Sequence, residues 1–252
     1  MTEGNRASGG VQSVDRAFDL LELLADAGGE LGLSQLAESS GLPLPTIHRL
    51  IRTLVAGGYV RQQVSRRYAL GPRLIRLGET AGLALGAGAR PYLAGLTDVV
   101  GETANMAILD GDQVVYVAQV PSRHSMRMFT EVGRRVDAYC TAVGKAILAE
   151  MPPETVEQLI SRIHIRPQTE RTISSSGELR EQLSVIRQQG YAIDDGEQEI
   201  GVRCIAVTIP GAPTGAAISI SGPEARMSGL DIDQVVPLMR AAAIKLAGEL
   251  AP

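Results

Sequence analysis

Three groups of polar residues interrupt apolar sequence in the C-terminal two thirds of the chain and could bind a small molecule. The segment YAIDDGEQEIGVRCIAV contains Asp194, Asp195 and Cys204, and AAISISGP places Ser219 and Ser221 two positions apart. Side chains two positions apart lie on the same face of a strand. In YCTAVGKAIL, small residues lead into a helix whose free backbone N–H groups form a natural anion site. Hydroxyl, thiol and N–H groups together suit a small carboxylate or carbonyl compound.

Each of these groups also has a purely structural explanation. A lone cysteine in a strand more often packs in the core than binds a ligand. Ser219 and Ser221 can equally be exposed, and Asp194-Asp195-Gly196 is also typical of a turn. The residue types therefore leave both a binding site and an ordinary sheet open.

Catalysis has little support in the sequence. Cys204 would need an activating base to act as a nucleophile. Of the three histidines, His48 belongs to a cationic segment, and His124 and His164 lack metal-ligand spacing to each other or to the cysteines. The chain has no nucleophile elbow, zinc-protease motif, phosphate-binding loop or dinucleotide fingerprint. We therefore expect no enzyme, metal or cofactor, with a Cys204-dependent enzyme fused to a nucleic-acid-binding module as the alternative.

The cationic segment is the second feature that could do chemistry. No Asp or Glu occurs from Ser39 to Gly78, whereas this segment contains seven arginines in a chain of net charge −4. A cationic block in an acidic protein calls for an anionic partner, and a phosphate backbone is the commonest one. A solvated face with counter-charges from elsewhere in the fold is the alternative.

The elements around this block follow the order of a winged helix-turn-helix. The first predicted helix has a core face of apolar residues at helical spacing: Val14, Phe18, Leu21 and Leu24. A short second helix, capped by Ser34, stops at Gly41, and a third helix begins near Pro45. Two β-prone runs, Tyr59-Val60 and Tyr68-Ala69-Leu70, flank QQVSRR and predict a hairpin.

The third helix would be the recognition helix of such a domain. Its outward side chains are short and polar or cationic, as base edges and phosphates require. Two arginines at the hairpin tip can reach a flanking phosphate or the minor groove. The residues expected to contact DNA are Ser34, Gln35, Pro45, Thr46, His48, Arg49, Arg52, Arg66 and Arg67. A three-helix protein-interaction module is the alternative.

The remaining sequence predicts a connector and a second domain. Apolar periodicity over 72–90 predicts a linker helix, whose small residues would let another helix approach closely. Beyond it, strands and helices in two runs predict an α+β domain around an antiparallel sheet, with a strand in RMFTEVG. The predicted boundaries are a disordered tail at 1–10, the winged helix-turn-helix at 11–71, the linker helix at 72–90 and the second domain at 91–252.

Composition excludes several classes of protein. No apolar run reaches about 18 residues, so no transmembrane helix is expected. The first ten residues are polar and small, unlike a signal peptide. Two cysteines exclude a disulfide scaffold and a four-cysteine zinc site. We expect a soluble cytoplasmic protein without a membrane partner.

Five segments in the same order resemble the IclR-type bacterial transcriptional regulators over nearly the whole chain. They are LSQLAESSGLPLPTIHRLIRTLVAGGYV, RRYALGPRLIRLG, CTAVGKAILA, GYAIDDGEQEIGVRCIAV and AAISISGP. The resemblance implies an N-terminal winged helix-turn-helix, a linker helix and a C-terminal effector-binding domain related to GAF and profilin-like folds. It also implies a homodimer or homotetramer on a palindromic double-stranded DNA operator, most often as a repressor of catabolic genes.

The resemblance further implies where a small organic acid would bind. By motif match, its polar contacts fall at Ala142, Val143, Asp194, Cys204, Ser219 and Ser221, and its apolar walls at Met128, Val136 and Val202. This full polar set resembles the glyoxylate and allantoin-pathway regulators, so glyoxylate or another small oxo- or hydroxy-acid is the expected effector. One departure from the family is the short Gly/Pro-rich connection TIPGAPTGAA, which predicts altered strand geometry beside the pocket.

Overall fold

The computed structural model describes residues 10–128, 131–212 and 214–250. The chain divides into two compact units, residues 1–81 and 82–252. This division falls within the predicted linker of residues 72–90. Almost all of the predicted tail at 1–10 lies outside the described residues. Within the described ranges, no helix is long and apolar enough to cross a membrane.

The N-terminal unit is the predicted winged helix-turn-helix. Its elements are α1 (Gln12–Asp26), β1 (Glu30–Leu31), α2 (Leu33–Ser40), α3 (Leu44–Ala56), β2 (Val60–Gln62), β3 (Tyr68–Leu70) and the first part of α4 (Arg73–Leu85). The strand order is β1-β3-β2, and both pairings are antiparallel. The hairpin was predicted from sequence, whereas the two-residue strand β1 was not.

Apolar faces of α1, α2 and α3 form the core of this unit. Its buried helical residues are Leu20, Leu24, Leu36, Ile47, Leu50, Ile51 and Leu54. In α3 these residues form a continuous buried stripe at helical spacing, whereas the core face predicted for α1 is partly wrong. Val14 and Phe18 are 47% and 60% exposed, because α1 contributes buried residues only from its second half. Helical spacing defines a face but not how far along it a partner extends.

The predicted linker helix over 72–90 is wrong in its extent. Helix α4 ends at Leu85, and a 3₁₀ turn at Ala87–Ala89 leads into α5 (Arg90–Val100). Gly86, between these two elements, lies with its backbone against the strand that contains Val117, so the position has no room for a larger residue. A Cβ atom there would approach the carbonyl oxygen of Val117 to 2.9 Å.

The C-terminal unit is built on a six-stranded antiparallel sheet in the order β6-β5-β4-β9-β8-β7. Its strands are β4 (Thr103–Asp110), β5 (Gln113–Val120), β6 (Arg135–Asp137), β7 (Ala192–Asp195), β8 (Val202–Thr208) and β9 (Ala216–Pro223). Its helices after α5 are α6 (Ala142–Glu150), α7 (Pro153–Ile160), α8 (Ser176–Gln189), α9 (Glu224–Met227) and α10 (Ile232–Leu250). The predicted α+β class is confirmed.

Helices cover both faces of this sheet. On one face, Cys204 and Ala206 of β8 pack with α6, α7 and α8. On the other face, Ile205 and Val207 pack with α5 and α10. The alternation follows from the two-residue period of a strand. It leaves the α6 face of the sheet with small side chains.

Two local expectations do not hold. The described part of RMFTEVG, residues 127–128 and 131–133, is not a strand, while residues 129–130 lie outside the described residues. Gly133 takes a left-handed φ of +94° there, which turns the chain into β6. The short connection between β8 and β9 does not disturb their pairing, which continues in register to Thr208 and Ala217.

Candidate nucleic-acid interface and effector site

The outer face of α3 presents polar and cationic side chains. The buried stripe fixes the helix against the core, so His48, Arg49 and Arg52 are exposed on the other side. Thr46 is half-buried, and the hydroxyl of Thr53 donates to the Arg49 carbonyl at 3.1 Å. This face can offer guanidinium and imidazole donors to an anionic partner.

Helix α2 meets α3 through a three-residue turn. Gly41 ends α2 with a left-handed φ of +67°. Ser34 does not cap α2, since the helix begins at Leu33 after Gly32. Instead, the amide oxygen of Gln35 accepts from the backbone N–H of Gly32 at 3.1 Å. Ser34, Gln35 and Pro45 are all exposed. Pro45 lies just after this turn, whereas Ser34 and Gln35 lie in the first turn of α2.

The two arginines predicted at the wing tip have different surroundings. Arg66 is exposed in a tight turn, and its φ of +62° is left-handed. Arg67 folds back toward β1, where it donates to the Glu30 carbonyl at 2.7 Å and lies 3.3 Å from the Glu30 carboxylate. Glu30 therefore neutralises much of the charge of the Arg67 guanidinium within the fold.

A row of polar side chains crosses the α6 face of the sheet. Strand register pairs Asp194 with Cys204, Cys204 with Ser221, and Ser221 with Thr103. Ser219 lies two residues from Ser221 and therefore on the same face. Asp194, Ser219, Ser221 and Thr103 are each at most 3% exposed, and Cys204 is 8% exposed. The pairing brings together the Asp, Cys and Ser residues that sequence analysis singled out.

Asn105 joins the two serines and was missed by sequence analysis. Its Nδ2 donates to Ser221 Oγ at 3.2 Å and to Ser219 Oγ at 3.4 Å. Its Oδ1 accepts from the amide of Gln119 at 3.0 Å. The signal in the sequence was the alternation of Thr103 and Asn105 with apolar residues in β4.

The Asp194 carboxyl group is buried, and this burial changes its pKa. Its Oδ1 accepts from the backbone N–H groups of Glu197 at 2.7 Å and Gln198 at 3.4 Å. Burial nevertheless raises the pKa of Asp194 to about 7, because desolvation of the carboxylate outweighs these bonds. Burial also raises the pKa of the Cys204 thiol and of the Tyr116 hydroxyl. A protonated thiol is a poor nucleophile, which argues against catalysis by Cys204.

The start of α6 lies in the same buried cluster as Cys204. Thr141 caps the helix, and its hydroxyl accepts from the N–H of Gly144 at 3.2 Å. Ala142 and Val143, the first two residues, are 2% and 1% exposed. Gly144 is required because a Cβ atom would lie 2.2 Å from the carbonyl oxygen of Ala138. Small residues therefore let the helix start sit deep in the domain.

A buried ion pair supports this region and was also missed. The ammonium of Lys145, on α6, contacts the carboxylate of Glu197 and donates to Gln182 at 2.8 Å. Burial raises the pKa of Glu197, and its Oε2 is buried without a hydrogen-bond partner among the described residues. The signal was a lysine inside the apolar helix sequence AVGKAIL.

The three residues predicted as apolar walls lie around the same face. Val136 is buried in the core on the α6 side of the sheet, and Val202 packs against this core. Met128 is half-buried, and its carbonyl oxygen accepts from the Thr103 hydroxyl at 3.2 Å. No group of three or more His, Cys, Asp or Glu residues in the described ranges could hold a metal ion.

Comparison with known proteins gives matches along both units. Residues 13–64 match the family described as the IclR helix-turn-helix domain, and residues 80–247 match that described as bacterial transcriptional regulator IclR C-terminal. The chain is 36% identical to the transcriptional repressor IclR of Escherichia coli over 97% of this chain and 90% of that protein. It is 34% identical to the regulator BhcR of Paracoccus denitrificans over 99% of this chain and 91% of that protein.

A solved structure agrees with these matches. An IclR transcriptional regulator from Alicyclobacillus acidocaldarius has a TM-score of 0.82 to this chain at 28% identity. The match covers 96% of this chain and all of the other chain.

Proposed function

Because this chain belongs to the IclR family of bacterial transcriptional regulators, which are not enzymes, we propose that it represses a catabolic operon. It leaves its operator when a small organic acid binds to the α6 face of the sheet. Glyoxylate is the proposed effector, as expected for a regulator of the glyoxylate and allantoin-pathway group. Such a protein acts in the cytoplasm, where the chromosome lies.

The observation that carries the effector proposal is the in-register polar row. Asp194, Cys204 and Ser221 sit on adjacent strands, deep beneath the helix start at Ala142 and Val143. A small carboxylate there would meet hydroxyl and backbone N–H donors, which stabilise negative charge. An effector that favours the operator-incompetent arrangement lowers DNA affinity by its differential binding energy, typically about 1–3 kcal/mol.

The test of the effector site is release of operator DNA in a fluorescence anisotropy titration. We expect glyoxylate to release the wild-type protein and not a Ser219→Ala/Ser221→Ala variant, while both bind DNA equally without glyoxylate. Ser161→Ala, at an exposed serine outside the row, is the matched control and should respond like wild type. Release of the double variant by the same acid concentration would place the effector elsewhere.

The helix-turn-helix binds DNA, and we propose that α3 enters the major groove with Arg49 and Arg52 on bases or phosphates. Each base contact is typically worth about 1–3 kcal/mol, and each lost phosphate contact reduces the salt slope by about 1. Arg49→Ala and Arg52→Ala should therefore weaken operator binding at matched salt. Arg162→Ala, at an exposed arginine of the C-terminal unit, is the control. Equal affinity of all three variants would refute these roles.

We propose supporting contacts to DNA from His48, Thr46, Pro45, Ser34, Gln35 and the wing arginines. We propose that Arg66 carries the wing contact, since Arg67 is bound to Glu30.

Two copies of the chain would place two recognition helices in successive major grooves of a palindromic operator. We propose a homodimer or a homotetramer of such dimers. Sedimentation equilibrium, with and without operator DNA, distinguishes the two and would exclude both if the protein were a monomer on DNA.

A further inference from the structure

A cavity lies in the C-terminal unit, away from the polar row. It has a volume of about 650 Å³ and lies between the end of α6, the end of β8 and helix α10. Cys204 is near the beginning of β8, whereas the cavity is lined by Val207 and Thr208 at the end of this strand. Likewise, α6 contributes its last residues here and its first residues to the polar row. Cavities of about 300–1,000 Å³ are typical of small-molecule sites.

Most of the side chains that line this cavity are apolar. Ile147 and Met151 contribute from the end of α6, Ile209 from just beyond β8, and Ala243 and Ile244 from α10. Ile244 is 64% exposed although it lines the cavity, so an apolar surface is left open to solvent. An apolar body that filled the cavity would remove this surface from water, which stabilises binding.

A cation, Arg240 on α10, lines this cavity and is exposed to solvent. The guanidinium of Arg240, on α10, donates from Nη2 to the carbonyl oxygen of Gln189 at 2.6 Å. It packs so closely on Gly190 that a Cβ atom there would lie 2.4 Å from Nη2. No carboxylate among the described residues pairs with Arg240, although Glu150 also lines the cavity. The remaining N–H groups of the guanidinium are therefore available to an anion.

We propose that this cavity binds an amphiphilic carboxylate, with its hydrocarbon body among Ile147, Met151 and Ile244 and its carboxylate on Arg240. A planar guanidinium held by a backbone carbonyl is well suited to a carboxylate. The site differs from the proposed effector site in its chemistry, which is one cation and apolar walls instead of buried hydroxyls and a carboxyl group. It also does not depend on the identity of the effector.

The first test compares octanoate with 1-octanol, which has the same hydrocarbon body without the charge. Isothermal titration calorimetry on the full chain should give saturable octanoate binding in the low millimolar range or tighter. Because the carboxylate can bind the Arg240 guanidinium and the hydroxyl group carries no charge, octanoate should bind at least about tenfold more tightly than 1-octanol. Equal affinities, or no saturable octanoate binding, would overturn the proposal.

Variants then locate the binding. Arg240→Gln should remove the preference for octanoate over 1-octanol, and Ile244→Glu should weaken octanoate by at least about tenfold because it adds an anion to the apolar wall. Glu150→Gln is the matched control, since it removes a like charge and should leave octanoate binding equal or tighter. The Ser219→Ala/Ser221→Ala variant should bind octanoate as wild type does. Loss of octanoate binding in that variant would place the ligand in the polar row and refute the second site.

Discussion

Replacing Asp194 with asparagine should stabilise the protein at neutral pH, although it changes a buried polar residue. The Asp194 side chain is 3% exposed, and its Oδ1 accepts two backbone N–H groups. An asparagine oxygen can accept the same two bonds. The substitution therefore keeps the hydrogen bonds and removes only the cost of holding a carboxylate in a desolvated position.

The size of the effect follows from the raised pKa. The pKa of Asp194 rises from an ordinary 3.8 to about 7 in the folded protein. Between these values the folded state keeps a proton that the unfolded state has lost, so stability falls as pH rises through this window and levels off above about pH 7. Three pKa units correspond to about 4 kcal/mol. Asparagine does not titrate, so the free energy of unfolding of Asp194→Asn does not have this pH dependence. The variant should therefore exceed the wild type in stability by near zero at about pH 4 and by about 4 kcal/mol above pH 7.

The assay is urea denaturation followed by circular dichroism at several pH values between about 5 and 8. Other groups near Asp194 also titrate or carry charge, among them Glu197, Lys145, Cys204 and Tyr116. Because the variant retains all of these, the difference between the two proteins isolates Asp194. Asp195→Asn, on the adjacent and exposed carboxylate, is the matched control and should follow the wild-type pH dependence.

One result would contradict a raised pKa for Asp194. If the urea midpoints of wild type and Asp194→Asn moved in parallel from about pH 5 to 8, the folded protein would not hold a proton on Asp194 in that range. The cost of burying the Asp194 carboxylate would then be offset by solvent or by the neighbouring charges.

Three further predictions follow from the same contacts. If glyoxylate binds beside Asp194, its affinity for the wild-type protein should fall about tenfold per pH unit above about pH 7, because the glyoxylate carboxylate binds more favourably beside a protonated Asp194. Its affinity for Asp194→Asn should not change over this range. Calorimetry at matched ionic strength measures both affinities, and equal pH slopes would contradict the prediction. Lys145→Met should lower the free energy of unfolding, measured by urea denaturation, by about 3–5 kcal/mol because it leaves Glu197 buried without its cation. The double variant Lys145→Met/Glu197→Leu should recover much of this stability. Gly71→Ala should abolish operator binding because its Cβ would lie 2.2 Å from the backbone oxygen of Gly58, at the base of the wing; normal DNA binding by this variant would show that the base of the wing can adjust. Gly78→Ala, in open space on α4, should instead raise the free energy of unfolding by about 0.5–1 kcal/mol.

The sequence predicted elements better than it predicted their extent. Gly41 marked the end of α2 because a left-handed residue there stops a helix without steric cost. Phe18, by contrast, fits the helical period of α1 but lies beyond the reach of its partners. In the sequence Gly86 is one more small residue in a helical pattern, and only its contact with Val117 of a distant strand shows why this position is a glycine. Local patterns do not contain such tertiary contacts.

The same limit applies to the candidate site. Ser219 and Ser221 could be placed on one face from their spacing alone. Strand register, which brings Asp194 beside Cys204, is a long-range property and came only with the structure. Asn105 was missed for this reason, because nothing local indicates which strand will lie opposite it. The resemblance to a family supplied the grouping that spacing could not.

The polar row has no counterpart on the other face of the same strands. There, the residues between the polar ones, such as Ile220 and Ala104, pack in an apolar core. A buried hydroxyl or amide needs a partner, and leaving one unpaired costs about 1–3 kcal/mol. Asn105 donates to Ser219, so that serine keeps its own O–H, for which no acceptor is present among the described residues. A sheet built only for stability would place apolar side chains at these positions, whereas a bound carboxylate would accept this remaining O–H, and its binding would account for the polar row.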